Sequence, residues 1–228
     1  MTSTAQQSVN TLDHVADPLA LIDVDHIRFL VGNAKQAAYF YASAFGFTVE
    51  QVSDLTTGSR SAAKYLLTQG NIRLLLETPL SKDAAGSEEI RRYGDGVKDI
   101  ALTVFDATKA YEQALRNGGE SAYEPTVIKD AHGTVTMAGV KTYGRVVHTF
   151  VSRSGQYHLP TVKAGGQFLP GFRMMKDFAL NEYNRQHPCG LKFFDHCVGN
   201  VELGKMNHWV KWYEQVLGFA MFKHFDDK

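Results

Sequence analysis

Cysteine is scarce: Cys189 and Cys197 are the only two in 228 residues. That is too few for a disulfide scaffold, and both sit among apolar residues rather than in a zinc-binding spacing. No apolar run approaches the ~18 residues of a membrane span. The opening stretch MTSTAQQSVNTLDHVADP is polar and lacks the apolar segment of a secretory leader. Charge of neither sign dominates. Lys plus Arg and Asp plus Glu number 24 each, which leaves no field to attract nucleic acid or an acidic membrane. Together these absences imply a soluble protein of a reducing compartment, expected to be cytoplasmic and to bind neither nucleic acid nor membrane. An apolar fraction of 44% is enough for an ordinary core, and the length allows one large domain or two small ones.

What the chain does have is repetition. DHIRFLVGNAKQAAYFYASAFGF begins at Asp25, and DHCVGNVELGKMNHWVKWYEQVLGF begins at Asp195. Each opens on Asp-His, continues through Val-Gly-Asn, and runs into an amphipathic stretch that closes on Gly-Phe. Ala38, Tyr41, Ala42 and Phe45 recur at helical spacing, as do Trp209, Trp212, Tyr213 and Val216. Gly46 and Gly218 stand where a helix would end, because glycine takes the left-handed cap conformation without a Cβ clash. Each copy predicts a short strand carrying His, a loop, a helix and a turn into the next strand. The repetition implies a duplicated module.

Further strands are expected between the copies. Alternation in Ser61–Pro79 predicts a hairpin turning at Gln69-Gly70-Asn71. Val97–Glu120 reads as strand then helix, with Asp106 as N-cap and Gly118-Gly119 as the stop. Thr134–Arg153 predicts two strands with a turn near Gly144. A strand–helix–strands order therefore occurs twice and begins again at Leu191. Pro188 and Gly190 mark a boundary. The expected domains are residues 20–172, a linker over 173–190, and over 191–228 the first strand and helix of a second, incomplete unit.

This organisation resembles the vicinal oxygen chelate superfamily, an α/β (α+β) fold in which paired βαβββ modules form a half-open barrel. The words VGNAKQAA (31–38), TGSR (57–60), YGDGVKDIAL (93–102), TYG (142–144), HTFV (148–151), FLPGF (168–172) and FDHCVGNVELGKMN (194–207) resemble the 4-hydroxyphenylpyruvate dioxygenase family, in that family's order. The hydroxymandelate synthases share this half. The resemblance implies a non-haem Fe(II) enzyme that converts 4-hydroxyphenylpyruvate and O2 to homogentisate and CO2 in tyrosine catabolism, and a homo-oligomer in full-length form. It also implies that the second unit breaks off before its iron site is complete, so this chain alone is expected to be inactive.

A facial triad of two His and one carboxylate leaves three coordination positions for a chelating 2-oxo acid and dioxygen. The resemblance places His196 as the first iron ligand and Val198 as a wall of the substrate pocket. Alone, His196 could equally be a hydrogen-bonded core histidine. Cys197 alternates to the other face as packing, Asn200 is expected to satisfy loop backbone, and His208 and His224 read as surface residues. In module one, His26 takes the place of His196, Asp99 falls at the second-ligand position and Thr149 at the carboxylate position. A hydroxyl is a poor ligand, so this set reads as a site that has lost its metal. Three alternatives stand beside the dioxygenase reading: a 4-hydroxymandelate synthase-like enzyme, a small glyoxalase- or extradiol-type enzyme using His26 and Asp99, and a binding or assembly domain without catalysis.

Overall fold

Two successive runs of strand, helix and three strands build the first two-thirds of the chain. The structure, a computed structural model, describes residues 17–157, 159 and 167–223; His224 lies outside them. Module one comprises β1 (Leu21–Leu30), α1 (Ala34–Phe45), β2 (Thr48–Ser53), β3 (Ala62–Gln69) and β4 (Ile72–Pro79). Its helix starts because Asn33 accepts a hydrogen bond from the Gln36 amide, and stops at Gly46, whose φ of 70° is left-handed. After α2 (Ser87–Tyr93), module two repeats the order with β5 (Gly96–Val104), α3 (Ala107–Arg116), β6 (Ser121–Asp130), β7 (Gly133–Lys141) and β8 (Val147–Arg153). Asp106 caps α3, accepting from the Thr108 and Lys109 amides.

The strand order β6-β7-β8-β5-β1-β4-β3-β2 reads as two equivalent halves meeting at the antiparallel β5–β1 pair. Within each half the first strand runs parallel to the last, β1 with β4 and β5 with β8. That is the pseudo-twofold pair of βαβββ modules expected from the repeat. One face of the sheet is covered by α1 over module one and α3 over module two. On the opposite face Leu66 of β3 and Val135 of β7 join one cluster with Tyr157, Phe168 and Phe172. In a flat sheet those two strands, five spacings apart, would stand roughly 24 Å from each other. The sheet therefore curls around the inserted aromatics as a half-open barrel.

Residues 173–190 are not a free linker. β9 (Arg173–Met174) extends the sheet beyond β2, and Phe178 is buried against α1 and β2–β4. In α4 (Asn181–Gln186), the Asn181 amide exchanges both hydrogen bonds with the Val49 backbone at 2.8 Å, and Asn184 donates to the Ala42 and Phe47 carbonyls. Composition flagged Pro188 and Gly190 but could not show that two asparagine side chains would stand in for a strand. Asn181→Ala leaves the buried Val49 N–H and C=O unpaired and is expected to cost about 1–3 kcal/mol, measured by urea denaturation.

From Leu191 the expected repeat forms only in part. α5 (Met206–Leu217) is present and ends as α1 does. Gly218 has φ 75°, its amide bonds the Glu214 carbonyl, and the Phe219 amide reaches back to Tyr213 as Phe47 reaches to Tyr41. The strand expected before it is absent: residues 191–205 have no strand pairing. A strand exists only where a neighbour completes its hydrogen bonds, and β1, its counterpart, has β4 and β5.

Candidate functional site

The Asp-His pair of module one sits on a β-bulge. Val24 pairs with Leu102 and His26 with Ala101, so Asp25 is an extra residue on β1. The bulge turns Asp25 and His26 toward the inner face together, where strict alternation would separate them. Asp25 is fully buried. Its carboxylate accepts from His26 Nδ1 at 2.7 Å, from Thr103 Oγ1 at 3.0 Å, and from both terminal nitrogens of Arg153, Nη2 at 2.9 Å. Burial would raise this carboxyl; the Arg153 guanidinium and the His26 bond outweigh it and hold the group far below the ordinary carboxylate range. The other side of the His26 ring meets Phe168 edge-on, with centroids 5.2 Å apart.

Asp99 of β5 faces the same interior, because it pairs in register with Arg28, two residues beyond His26 on β1. Its carboxylate accepts from the Thr149 amide at 3.1 Å and from Thr149 Oγ1 at 2.5 Å, and the Arg28 guanidinium lies 3.6 Å away. Arg28 also donates to Glu77 at 3.2 Å, and Lys64 lies 3.3 Å from the same Glu77 oxygen. Burial would raise Glu77; Lys64 and Arg28 more than offset it, and the carboxyl is lowered. His26, Asp99 and Thr149 thus share one face, but Asp99 is engaged by Thr149 and Arg28, and His26 by Asp25 and Phe168. Sequence reading named the three and missed the arginines. The available signal was a charged residue at an inward position of each strand, Arg28 on β1 and Arg153 on β8.

The second Asp-His pair repeats the first in detail and differs in setting. His26 Nδ1 bonds Asp25 at 2.7 Å, and His196 Nδ1 bonds Asp195 at 2.6 Å. A carboxylate accepts only, so Nδ1 carries the proton and Nε2 of His196 keeps its lone pair free. Where the first pair is buried, the His196 side chain is 72% exposed. His196 and Cys197 line a cavity of about 920 Å³ between the sheet and α5. Val198, expected on the same strand face as His196, is 80% exposed and does not line this cavity. Without a paired strand, alternation has nothing to enforce it. Asn200 lies well ahead of α5, which starts without a side-chain cap, unlike Asn33. Among the described residues no three His, Cys, Asp or Glu gather as a metal site.

Helical spacing marks Trp209, Trp212, Tyr213 and Val216 as one face of α5 without showing what covers it. The helix docks on module two: Val216 and Leu217 are buried with Ala110, Tyr111 and Ala114 of α3. Tyr213 reaches His148 on β8, hydroxyl to Nε2 2.9 Å, and Trp212 stacks on the same imidazole. The segment ahead of the helix runs tightly past Tyr143, where a Cβ on Gly199 would overlap the phenol. The apolar face is the same; the α3 surface supplied cover that periodicity could not locate. Lys192 and Lys205 flank backbone outside any regular element, so limited trypsinolysis is expected to cut there before Lys211 within α5. First cleavage at Lys211 would show that the helix is not held.

Paired βαβββ modules forming one open mixed sheet, with the Asp-His pair at the head of the repeat, define a class of protein. The profile of the Glyoxalase/Bleomycin resistance protein/Dioxygenase superfamily matches residues 23–143, and the chain belongs to that superfamily. Within it, the chain is 43% identical over 206 residues to a 4-hydroxyphenylpyruvate dioxygenase of Dictyostelium discoideum, covering 90% of this chain and 54% of that protein. To the enzyme of that name from Tetrahymena thermophila it is 39% identical, over 89% of this chain and 49% of the other. The chain spans about half the length of the curated relatives it matches. Among solved structures, a 4-hydroxymandelate synthase variant from Streptomyces coelicolor superposes with a TM-score of 0.68 at 20% identity, over 90% of this chain and 55% of the other. That likeness concerns the fold. No helix among the described residues is long and apolar enough to cross a membrane.

Proposed function

We propose that the chain forms part of an Fe(II)-dependent 4-hydroxyphenylpyruvate dioxygenase, converting 4-hydroxyphenylpyruvate and O2 to homogentisate and CO2 in tyrosine catabolism. In this reading residues 20–172 are a structural paired-module domain, and residues 191–223 open the iron-holding one. The observation that carries it is the open Asp195–His196 pair. The carboxylate fixes the imidazole tautomer and leaves Nε2 available, an arrangement suited to a metal-bound histidine. His196 would hold the ion together with a second His and a carboxylate contributed from outside residues 17–223. When bound, iron supplies a redox-active Lewis acid for the 2-oxo acid and dioxygen.

This chain's own residues then have limited tasks. Asp195 orients His196, Val198 offers an apolar wall for the aromatic ring, and Tyr143 and α5 hold the segment in place. The small-enzyme alternative fares worse, because Arg28 and Phe168 occupy the interior beside Asp99 and His26. The reading is tested with a chimera in which the Dictyostelium relative supplies the residues after Phe219. The purified chimera should retain iron and release homogentisate, and the 228-residue chain should do neither. Homogentisate release by the 228-residue chain would refute the division of labour.

A further inference from the structure

His148 has no part in the reading above, yet both of its ring nitrogens are engaged inside the protein. It is 3% exposed. Its Nδ1 lies 2.9 Å from the Ile100 carbonyl, an obligate acceptor, so Nδ1 carries the proton. Nε2 is then an acceptor, and the Tyr213 hydroxyl at 2.9 Å donates to it. With its proton committed, the Tyr213 oxygen accepts from Thr142 Oγ1 at 3.2 Å. With the ring neutral, one proton order satisfies the chain Thr142 to Tyr213 to His148 to Ile100. The chain spans an interface: Thr142, His148 and Ile100 belong to module two, and Tyr213 belongs to α5.

We propose that His148 is a proton-operated latch, whose neutral ring fastens α5 and the His196 segment ahead of it to module two, and whose protonation releases them. A second proton at Nε2 makes that nitrogen a donor, and the Tyr213 hydroxyl must turn its own hydrogen toward Thr142 Oγ1. The bonds reverse, but the ring then carries a charge inside a buried interface, which costs free energy that release to water would recover. The new charge is poorly served by its surroundings. From β5, Asp99 is the one acid that favours it. α5 contributes Tyr213 and Glu214, and the turn before β8 contributes Tyr143. Asp195, His196, Cys197 and Lys223 line the same cavity, with charges of both signs. Burial dominates and moves the His148 pKa down, against the Ile100 bond and Asp99, which move it up. Because the docked ring has the lower pKa, docking is fully favoured above about pH 6.5, the value of a free histidine, and is lost as pH falls below it.

The molecule carries its own reporter, since Trp209 and Trp212, the only two tryptophans, both lie on α5. Trp209 touches His208 and is removed to avoid that histidine's titration. In Trp209→Phe, Trp212 emission should be blue and protected from iodide at pH 7.5. It should shift red and become quenchable below about pH 6.5. Adding His148→Gln, whose amide can accept from Tyr213 but cannot titrate, should abolish the pH response; a response that persists overturns the proposal. The imidazole nitrogens of His148, followed by NMR in Trp209→Phe alone, settle the matter if the glutamine variant fails to dock. Their midpoint should fall below that of free histidine and coincide with the Trp212 transition. A midpoint at or above the free value, or one displaced from the Trp212 change, overturns the latch. No iron or turnover enters these measurements, so they stand or fall apart from the dioxygenase reading.

Discussion

Asp25→Ala is expected to cost about 3–5 kcal/mol, a large part of the 5–15 kcal/mol that holds a typical domain together. The reason is what remains. Arg153, with a side chain 3% exposed, keeps its charge and loses the carboxylate that neutralised it. His26 and Thr103 lose their acceptor in the same step. Urea denaturation followed by far-UV circular dichroism gives the loss directly. Asp25→Ala with Arg153→Met should recover much of it, because the penalty arises from an unpaired buried charge rather than from a missing bond. A double variant no more stable than Asp25→Ala alone would show that the aspartate acts through shape or through the bulge.

The same pair sets an acid limit. The folded-state pKa of Asp25 is depressed relative to the unfolded chain. Its stabilisation is therefore complete above the unfolded value of ~3.9 and drains away as pH falls toward the folded one. His148 works in the opposite chemical sense, a base held neutral, but its contribution also fades on acidification, beginning nearer neutrality. Two separate acid transitions are thus expected, docking of α5 first and the barrel later.

Much of the fold was written in local signals. The hairpin at Gly70, the Asp106 cap and the Gly-Phe endings of α1 and α5 each involve residues within six positions of one another, a range that sequence displays. The Asp-His repeat announced the modules for the same reason. β6 escaped notice because Pro125 and a run of polar residues break its alternation; it lies at the sheet edge, where a strand can tolerate a proline. The bulge at Asp25 is visible only against the pairing with β5, and the plug formed by Tyr157 and Phe168 only once the sheet has curled. Of the candidate site, the His196 motif was legible, but its exposure was not. The strand expected to carry it needed a partner that residues 17–223 do not provide.

His26 and His196 are the same residue of one repeated unit, and exchanging each for alanine should separate ligand from scaffold. In the chimera completed from the Dictyostelium relative, His196→Ala is expected to remove retained iron and drop homogentisate release below detection, with little change in thermal stability. No neighbour replaces a lost coordination bond, and an exposed side chain leaves no cavity. His26→Ala should do the reverse. It unpairs a buried hydrogen bond to Asp25 and withdraws the edge of a ring from Phe168, at a cost of about 1–3 kcal/mol. Iron content and turnover should stay near those of the parent wherever the protein remains folded. Asp195→Asn gives an intermediate case: the amide presents a donor or a weaker acceptor to Nδ1, loosening the tautomer without deleting the ligand, and iron affinity should fall about 10–100-fold. Loss of iron on His26→Ala, with His196→Ala silent, would move the site into module one and return the small-enzyme alternative. The Arg28 guanidinium 3.6 Å from Asp99 argues against that outcome, since a cation already faces the carboxylate a metal would need.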